Sequence, residues 1–163
     1  MKPDRKIIIY ALLCLLLGGC LPETIVADGD KSLPVKYEKI TSPGGFYPGM
    51  HVGEYKNRMR MNERSGAALR TENGDYYYLF GQRCRLLSQK KDGMITEFNY
   101  LFKDSDYAVL HKFYLDWKNY LFNLYGQAVI NKNNHLKWIK GNTVIELYFL
   151  AGQNIAYCKF YLK

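Results

Sequence analysis

Between Asp104 and Gly126 the residues Leu110, Phe113, Tyr114, Trp117, Leu121 and Leu124 recur at three- and four-residue steps, with His111, Lys112, Asp116, Lys118 and Asn119 mostly elsewhere. This stripe predicts one amphipathic helix over about 104–125, opened by Asp104 or Ser105 as a cap and closed by Gly126 as a left-handed stop. A helix with one apolar side must bury it against another element, and most of the remaining domain reads as sheet. His135 to Lys140, Thr143 to Leu150 and Ile155 to Leu162 form three expected strands, divided by Gly141-Asn142 and by Ala151-Gly152-Gln153-Asn154. In the second, Ile145, Leu147 and Phe149 alternate with Glu146 and Tyr148. In the third, Ala156, Cys158, Phe160 and Leu162 alternate with Tyr157, Lys159 and Tyr161, the pattern of a half-buried antiparallel sheet.

Two hairpins are expected upstream. Ala67 to Thr71 and Tyr76 to Phe80 flank Glu72-Asn73-Gly74-Asp75, where Asn-Gly readily adopts the positive dihedrals of a tight turn. Gln82 to Gln89 and Met94 to Phe102 flank Lys91-Asp92-Gly93, which puts Met94, Thr96, Phe98, Tyr100 and Phe102 on one side of a strand. Val52, Tyr55 and Met59 fall at helical spacing after Pro48, with Lys56, Asn57 and Arg60 on the other side, so a short N-terminal helix is expected. The fold class is α+β: an antiparallel sheet packed on one face by the long helix, its other face partly open.

The N-terminus has a different character. Met1 to Lys6 are polar and net positive, and Ile7 to Leu17 form an unbroken run of eleven apolar residues. A spanning helix needs about 20, so this run reads as a signal peptide to be removed. Leu17-Gly18-Gly19-Cys20 resembles the lipobox of bacterial lipoproteins, with an aliphatic residue three before the cysteine and small residues between. The resemblance implies that residues 1–19 are cut away, that the Cys20 thiol carries diacylglycerol, and that its amine is usually acylated too, by chains such as palmitate. Leu21 rather than Asp after the cysteine is similar to lipoproteins sent to the outer membrane, so the expected location is the cell envelope, outer membrane facing the periplasm. An ordinary secretory leader with a coincidental Cys20 is the alternative.

Residues 20–43 carry Pro22, Pro34 and Asp28-Gly29-Asp30 without sustained period, and read as a lipidated flexible tether in which Val35 to Ile40 could pair as an edge strand. Pro43-Gly44-Gly45-Phe46-Tyr47-Pro48-Gly49 demands turns, so one domain over 44–163 is expected. The order of Gly49-Met50, strands, a long helix ending Leu124-Tyr125-Gly126, then Trp138 and Ile145-Glu146-Leu147, resembles small periplasmic α+β domains of the β-lactamase-inhibitor-protein and outer-membrane-assembly accessory lipoprotein type. That likeness implies a fold and a non-enzymatic character, and no particular activity.

Without the leader's Lys2, Arg5, Lys6 and Asp4, the mature chain holds 20 basic and 14 acidic residues, a net +6. Nucleic acid, anionic headgroups or an acidic protein would each suit a basic surface, and secretion argues against the first; a merely solvated exterior is the alternative. Cys14 leaves with the leader and Cys20 is taken by lipid, so in an oxidising compartment Cys84 and Cys158 are expected to pair. The alternative is two free buried thiols on strands too far apart. His51, His111 and His135 have no companion ligand at metal spacing, and no catalytic or phosphate-binding motif occurs. No metal, cofactor or catalytic residue is therefore expected.

Tyrosine is the remaining signal. Tyr76-Tyr77-Tyr78 puts rings on both faces of one strand, and Tyr148, Tyr157 and Tyr161 lie opposite the expected core. With Arg85 and Lys159 they make a candidate partner-binding surface of Tyr76, Tyr78, Arg85, Tyr148, Tyr157, Lys159 and Tyr161, suited to an acidic or mixed protein; rings packed under loops are the alternative. The expected function is a lipid-anchored, non-catalytic protein-binding module: an immunity protein against a toxin delivered to the periplasm, or an accessory or pilot factor of an envelope assembly or secretion machine. The competing expectation is an envelope hydrolase or ligand-binding lipoprotein whose site assembles around His111 or His135.

Overall fold

Runs of alternating apolar residues joined by short turns fold back on their predecessors, and here they build two successive meanders. In the computed structural model, which describes residues 40–163, the strands are β1 (Met50–His51), β2 (Ala68–Thr71), β3 (Gly74–Leu79), β4 (Gln82–Lys91), β5 (Met94–Lys103), β6 (Ile130–Lys132), β7 (His135–Lys140), β8 (Thr143–Leu150) and β9 (Ile155–Leu162). The helices are α1 (Val52–Arg64) and α2 (Tyr107–Tyr125). The expected leader, lipobox, Cys20 and tether as far as residue 39, with most of the edge strand expected at 35–40, lie outside the described residues.

The fold is α+β, with one nine-stranded antiparallel sheet in the order β2-β3-β4-β5-β9-β8-β7-β6 and β1 paired to β5 off that path. Two meanders, β2 to β5 and β6 to β9, meet where β5 pairs β9 from Glu97–Tyr161 to Lys103–Ile155. Beyond that ladder β1 takes the vacant edge of β5, matching Met50 to Ile95 and His51 to Met94.

Turn chemistry sets both N-terminal hairpins, though not always at the expected residue. Asp92 and Gly93 both hold positive φ, 51° and 76°, as a two-residue hairpin turn requires. Between β2 and β3, however, Thr71 pairs Gly74, so the turn residues are Glu72 and Asn73, and Gly74 alone carries a positive φ, of 130°. The β3–β4 turn is Phe80-Gly81, with φ of 52° and 77°. That backbone is costly for a bulky residue. Here the Phe80 ring folds over α2, within 5.6–6.2 Å of the centroids of Phe113, Trp117 and Tyr120.

The β4–β5 ladder corrects one expected face. Gln89 pairs Glu97 and Lys90 pairs Ile95, which leaves Thr96 as an extra residue. The bulge exchanges the faces beyond it: Ile95 is fully buried, Met94 is exposed and Thr96 is half-buried, while Phe98, Tyr100 and Phe102 keep the core side.

That side of β5 shows how the interior is shared. Phe98 meets Phe46 at 5.5 Å and Tyr55 of α1 at 5.8 Å, Tyr100 meets Trp117 of α2 at 5.5 Å, and Phe102 meets Phe113 at 4.5 Å. The core is therefore not the long helix's alone, since Tyr55 and Met59 of α1 and the Phe46-Tyr47 segment are buried in it too. Folded contacts also begin ahead of Gly44: Ile40 packs on the core, Ser42 is buried, and Tyr100 Oη lies 2.7 Å from Ser42 Oγ and donates to Pro43 O.

The stripe of α2 holds at Leu110, Phe113, Tyr114, Trp117 and Leu121, all buried, and fails at Leu124, which is 53% exposed. Neither expected cap is the cap. Asp106 Oδ1 accepts from Ala108 N at 2.8 Å and Val109 N at 3.3 Å, while Asp104 Oδ1 accepts from Asp106 N just upstream. Gly126 does end the helix with a positive φ of 70°, but its ψ of −150° lies outside the left-handed helical well. Its carbonyl accepts from Trp138 Nε1 at 2.8 Å, tying the helix end to β7.

Candidate interaction surface

Side chains on the core side of the sheet leave the intervening residues of each strand on the other face, and the ladder registers join them into rows. One row runs His135, Tyr148, Tyr157, Leu101, Arg85, Tyr76 and Leu69 across seven strands. At about 4.8 Å per strand it is about 29 Å wide. A second row is Lys137, Glu146, Lys159, Asn99 and Leu87, and a third is Ile139, Val144, Tyr161, Glu97 and Gln89. All seven residues expected to bind a partner lie on this face: Tyr76, Arg85, Tyr148 and Tyr157 in the first row, Lys159 in the second, Tyr161 in the third, and Tyr78 opposite Arg83 beside the first. Tyr78 and Arg85 are exposed, and the other five are half-buried.

The rings interlock along the rows. Tyr148 stacks on His135 at 4.1 Å with an 8° tilt and on Tyr157 at 4.8 Å with a 24° tilt, so both of its planes are covered. Lys159 Nζ lies 4.8 Å from the Tyr161 centroid, and the Arg83 guanidinium lies 5.0 Å from that of Tyr76. Rings stacked across strands stand upright on the sheet, and they offer the outside their edges and hydroxyls. Burial, followed by the Glu146 carboxylate, pushes the Tyr148 phenol up to about 12, and burial raises Tyr157 as well. Both therefore remain hydroxyl donors at neutral pH.

Two ion pairs cross the same face. Lys159 Nζ is 2.9 Å from Glu97 Oε2, and Lys137 Nζ is 3.1 Å from Glu146 Oε1. The carboxylates are the more buried partners, with side chains 15% and 12% exposed, so each is shielded beneath its lysine. His135 Nε2 lies 3.7 Å from the same Glu146 oxygen, beyond hydrogen-bond length, and is buried without a hydrogen-bond partner among the described residues, as is Asn99 Oδ1.

The histidines proposed as centres of a rival site are set among rings. His111 stacks on Tyr107 at 5.6 Å and meets Phe149 at 5.5 Å. His51 has a local task, its Nδ1 accepting from Gly53 N at 3.0 Å to cap α1. Among the described residues no group of three His, Cys, Asp or Glu side chains is placed to hold a metal ion.

The expected disulfide is corrected. Cys84 on β4 and Cys158 on β9 are both free and fully buried, and β5 runs between their strands. Two strand spacings come to about 9.6 Å, whereas a bond needs α-carbons within about 7 Å. Burial pushes the Cys84 thiol up to about 12 and raises Cys158 well above its ordinary value, so neither forms thiolate readily. In the folded chain both should resist a thiol-specific reagent such as 5,5′-dithiobis(2-nitrobenzoate) and both should react once unfolded. A Cys84–Cys158 peptide in a non-reducing digest would overturn the assignment.

Several members of the face were not singled out from sequence. Alternation within β5 carried the signal for Glu97, Asn99 and Leu101, but their setting depends on the β5–β9 pairing, which joins strands over fifty residues apart. Glu146 was visible as an outward residue of its strand, and only the register makes Lys137 its partner. No protein family, curated protein or solved structure was found to match the chain.

Proposed function

We propose that this chain is a lipid-anchored envelope module that binds a protein partner through the face of the sheet opposite the two helices and performs no catalysis of its own. The helices pack the interior side, α2 being its principal cover, and the tyrosine-bearing side is the recognition surface. The observation that supports this reading is the continuity of that face: upright tyrosines, shielded ion pairs and Arg85 in three registered rows across the sheet, with Arg83 and Tyr78 beside the first. Tyrosine contributes contact area at low entropic cost, and its hydroxyl tolerates water at a rim, so such a face suits a protein more than a small molecule.

The location in this reading is supported by the lipobox-like Leu17-Gly18-Gly19-Cys20, with Cys20 as the lipid-bearing residue, and by Leu21 rather than Asp after the cysteine, which favours the outer membrane facing the periplasm. Two roles fit: immunity against a periplasmic toxin, or service as an accessory or pilot factor of an envelope machine. A toxin gene beside this one supports the first, and secretion or assembly genes support the second.

The binding face is tested by photo-crosslinking in cells. A photoreactive residue at Tyr78 should join the chain to one protein of defined mass, whereas the same residue at Lys56, exposed on α1, should not. Equal products from both positions, or none from Tyr78, would remove the face from the proposal.

A further inference from the structure

The charges on this face are unevenly satisfied, and the unevenness identifies the partner. Resting on the protein-binding reading above, we infer that the partner surface is acidic and that Arg83 and Arg85 of β4, not the lysines at the centre of the face, recognise it. Lys137 and Lys159 are already neutralised by Glu146 and Glu97. Arg83 and Arg85 are exposed and have no ion pair among the described residues.

Both arginines are held without being neutralised. Arg83 lies over Tyr76, and Arg85 Nη2 donates to the backbone carbonyl of Asn73 at 3.2 Å. Each guanidinium carries five N–H donors in a rigid fork, so most of each remains available for a carboxylate, which it can meet through two parallel bonds. Positioning by Tyr76 and Asn73 lowers the ordering cost of that contact. Lys103 and Lys132 on the same face are also exposed and have no ion pair among the described residues, whereas the carboxylates of its three rows, Glu97 and Glu146, are occupied.

The other occupants fit less well. A second copy would bring like charges together across the contact. A sugar needs an open ring plane, and both planes of Tyr148 and one plane each of Tyr157, Tyr161 and Tyr76 have neighbours over them. An acidic protein supplies what the face lacks, and its approach would be accelerated by the same field.

The test uses the full lipidated chain in phosphatidylcholine vesicles, with fluorescent poly-L-glutamate as the acidic probe. Arg83→Glu with Arg85→Glu should weaken probe binding about tenfold and flatten its salt dependence. Arg60→Glu with Arg64→Glu, an equal charge change on exposed residues of α1, should weaken it less than about threefold. Arg83→Gln with Arg85→Gln gives a milder pair, and thermal melting confirms that each variant folds.

Equal losses in the two Glu pairs, or no probe binding by the parent, would overturn the inference. So would capture of separate phosphatidylglycerol vesicles as strongly as polyglutamate and with the same dependence on Arg83 and Arg85, since the face would then take lipid. Failure with polyglutamate while crosslinking at Tyr78 persists overturns the acidic partner alone. Loss of both overturns the protein-binding reading as well.

Discussion

Trp117→Ala is expected to lower the free energy of unfolding by about 3–5 kcal/mol, the range for emptying a buried aromatic site. Trp117 is fully buried, and its ring lies within 5.5–6.3 Å of the centroids of Tyr100, Phe80, Tyr120 and Phe160, so it links α2 to β5, β9 and the β3–β4 turn. Domains of this size have total stabilities of about 5–15 kcal/mol, so the loss is a third or more of what holds a marginal one together. The melting temperature should fall by roughly 10–20 °C.

Trp117→Phe separates packing from hydrogen bonding. The indole Nε1 is buried and has no hydrogen-bond partner among the described residues, so the shorter ring forfeits volume but no hydrogen bond. Its cost should be about 1–2 kcal/mol. Urea titration of both variants followed by circular dichroism measures the two values. If Trp117→Ala cost under about 1 kcal/mol, this seat of α2 on the sheet would be wrong.

The phase of α2 was legible because a helix presents its apolar residues at a fixed local period, and Leu110 through Leu121 needed no knowledge of what they pack against. Strands 135–140, 143–150 and 155–162 were legible for the same reason at period two. What failed was set by geometry between strands. The bulge at Thr96 moves Ile95 into the core, and no local pattern distinguishes it from an unbroken strand. Phe80 occupies a left-handed turn that its side chain resists and its contacts with α2 retain.

The cysteines show the limit most plainly. Both lie on the core side of their strands, as alternation says, but alternation cannot count the strands between them, and β5 is there. The candidate face divides in the same way. Alternation sends Tyr148, Tyr157 and Lys159 outward, whereas the rows, the stacked rings and the pairing of Lys159 with Glu97 arise only where β5 meets β9 across a long connection. The unpaired state of Arg83 and Arg85 follows from the same placement, because the two carboxylates of the face lie on β5 and β8, each beside its own lysine.

Cys20→Ser is expected to abolish stable membrane attachment. In the proposed lipoprotein the thioether sulfur carries diacylglycerol, and a serine oxygen does not replace the thiol as acceptor, so the variant has no acyl chains. Each buried methylene contributes about 0.8 kcal/mol, which makes one chain marginal and two or more lasting. The eleven-residue run Ile7 to Leu17 cannot compensate if it stays uncleaved, being well short of the roughly 20 residues that cross a bilayer. A basic domain still adheres to anionic headgroups, and for that reason the membranes are washed in 1 M salt, where the screening length falls to about 3 Å. Wild type should remain with the membranes, lack residues 1–19 and show the added mass of fatty acids, while Cys20→Ser should wash off. Equal retention of the two, or a wild-type chain with its first nineteen residues intact and no lipid mass, would withdraw the anchor and with it the envelope location on which the proposed partner depends.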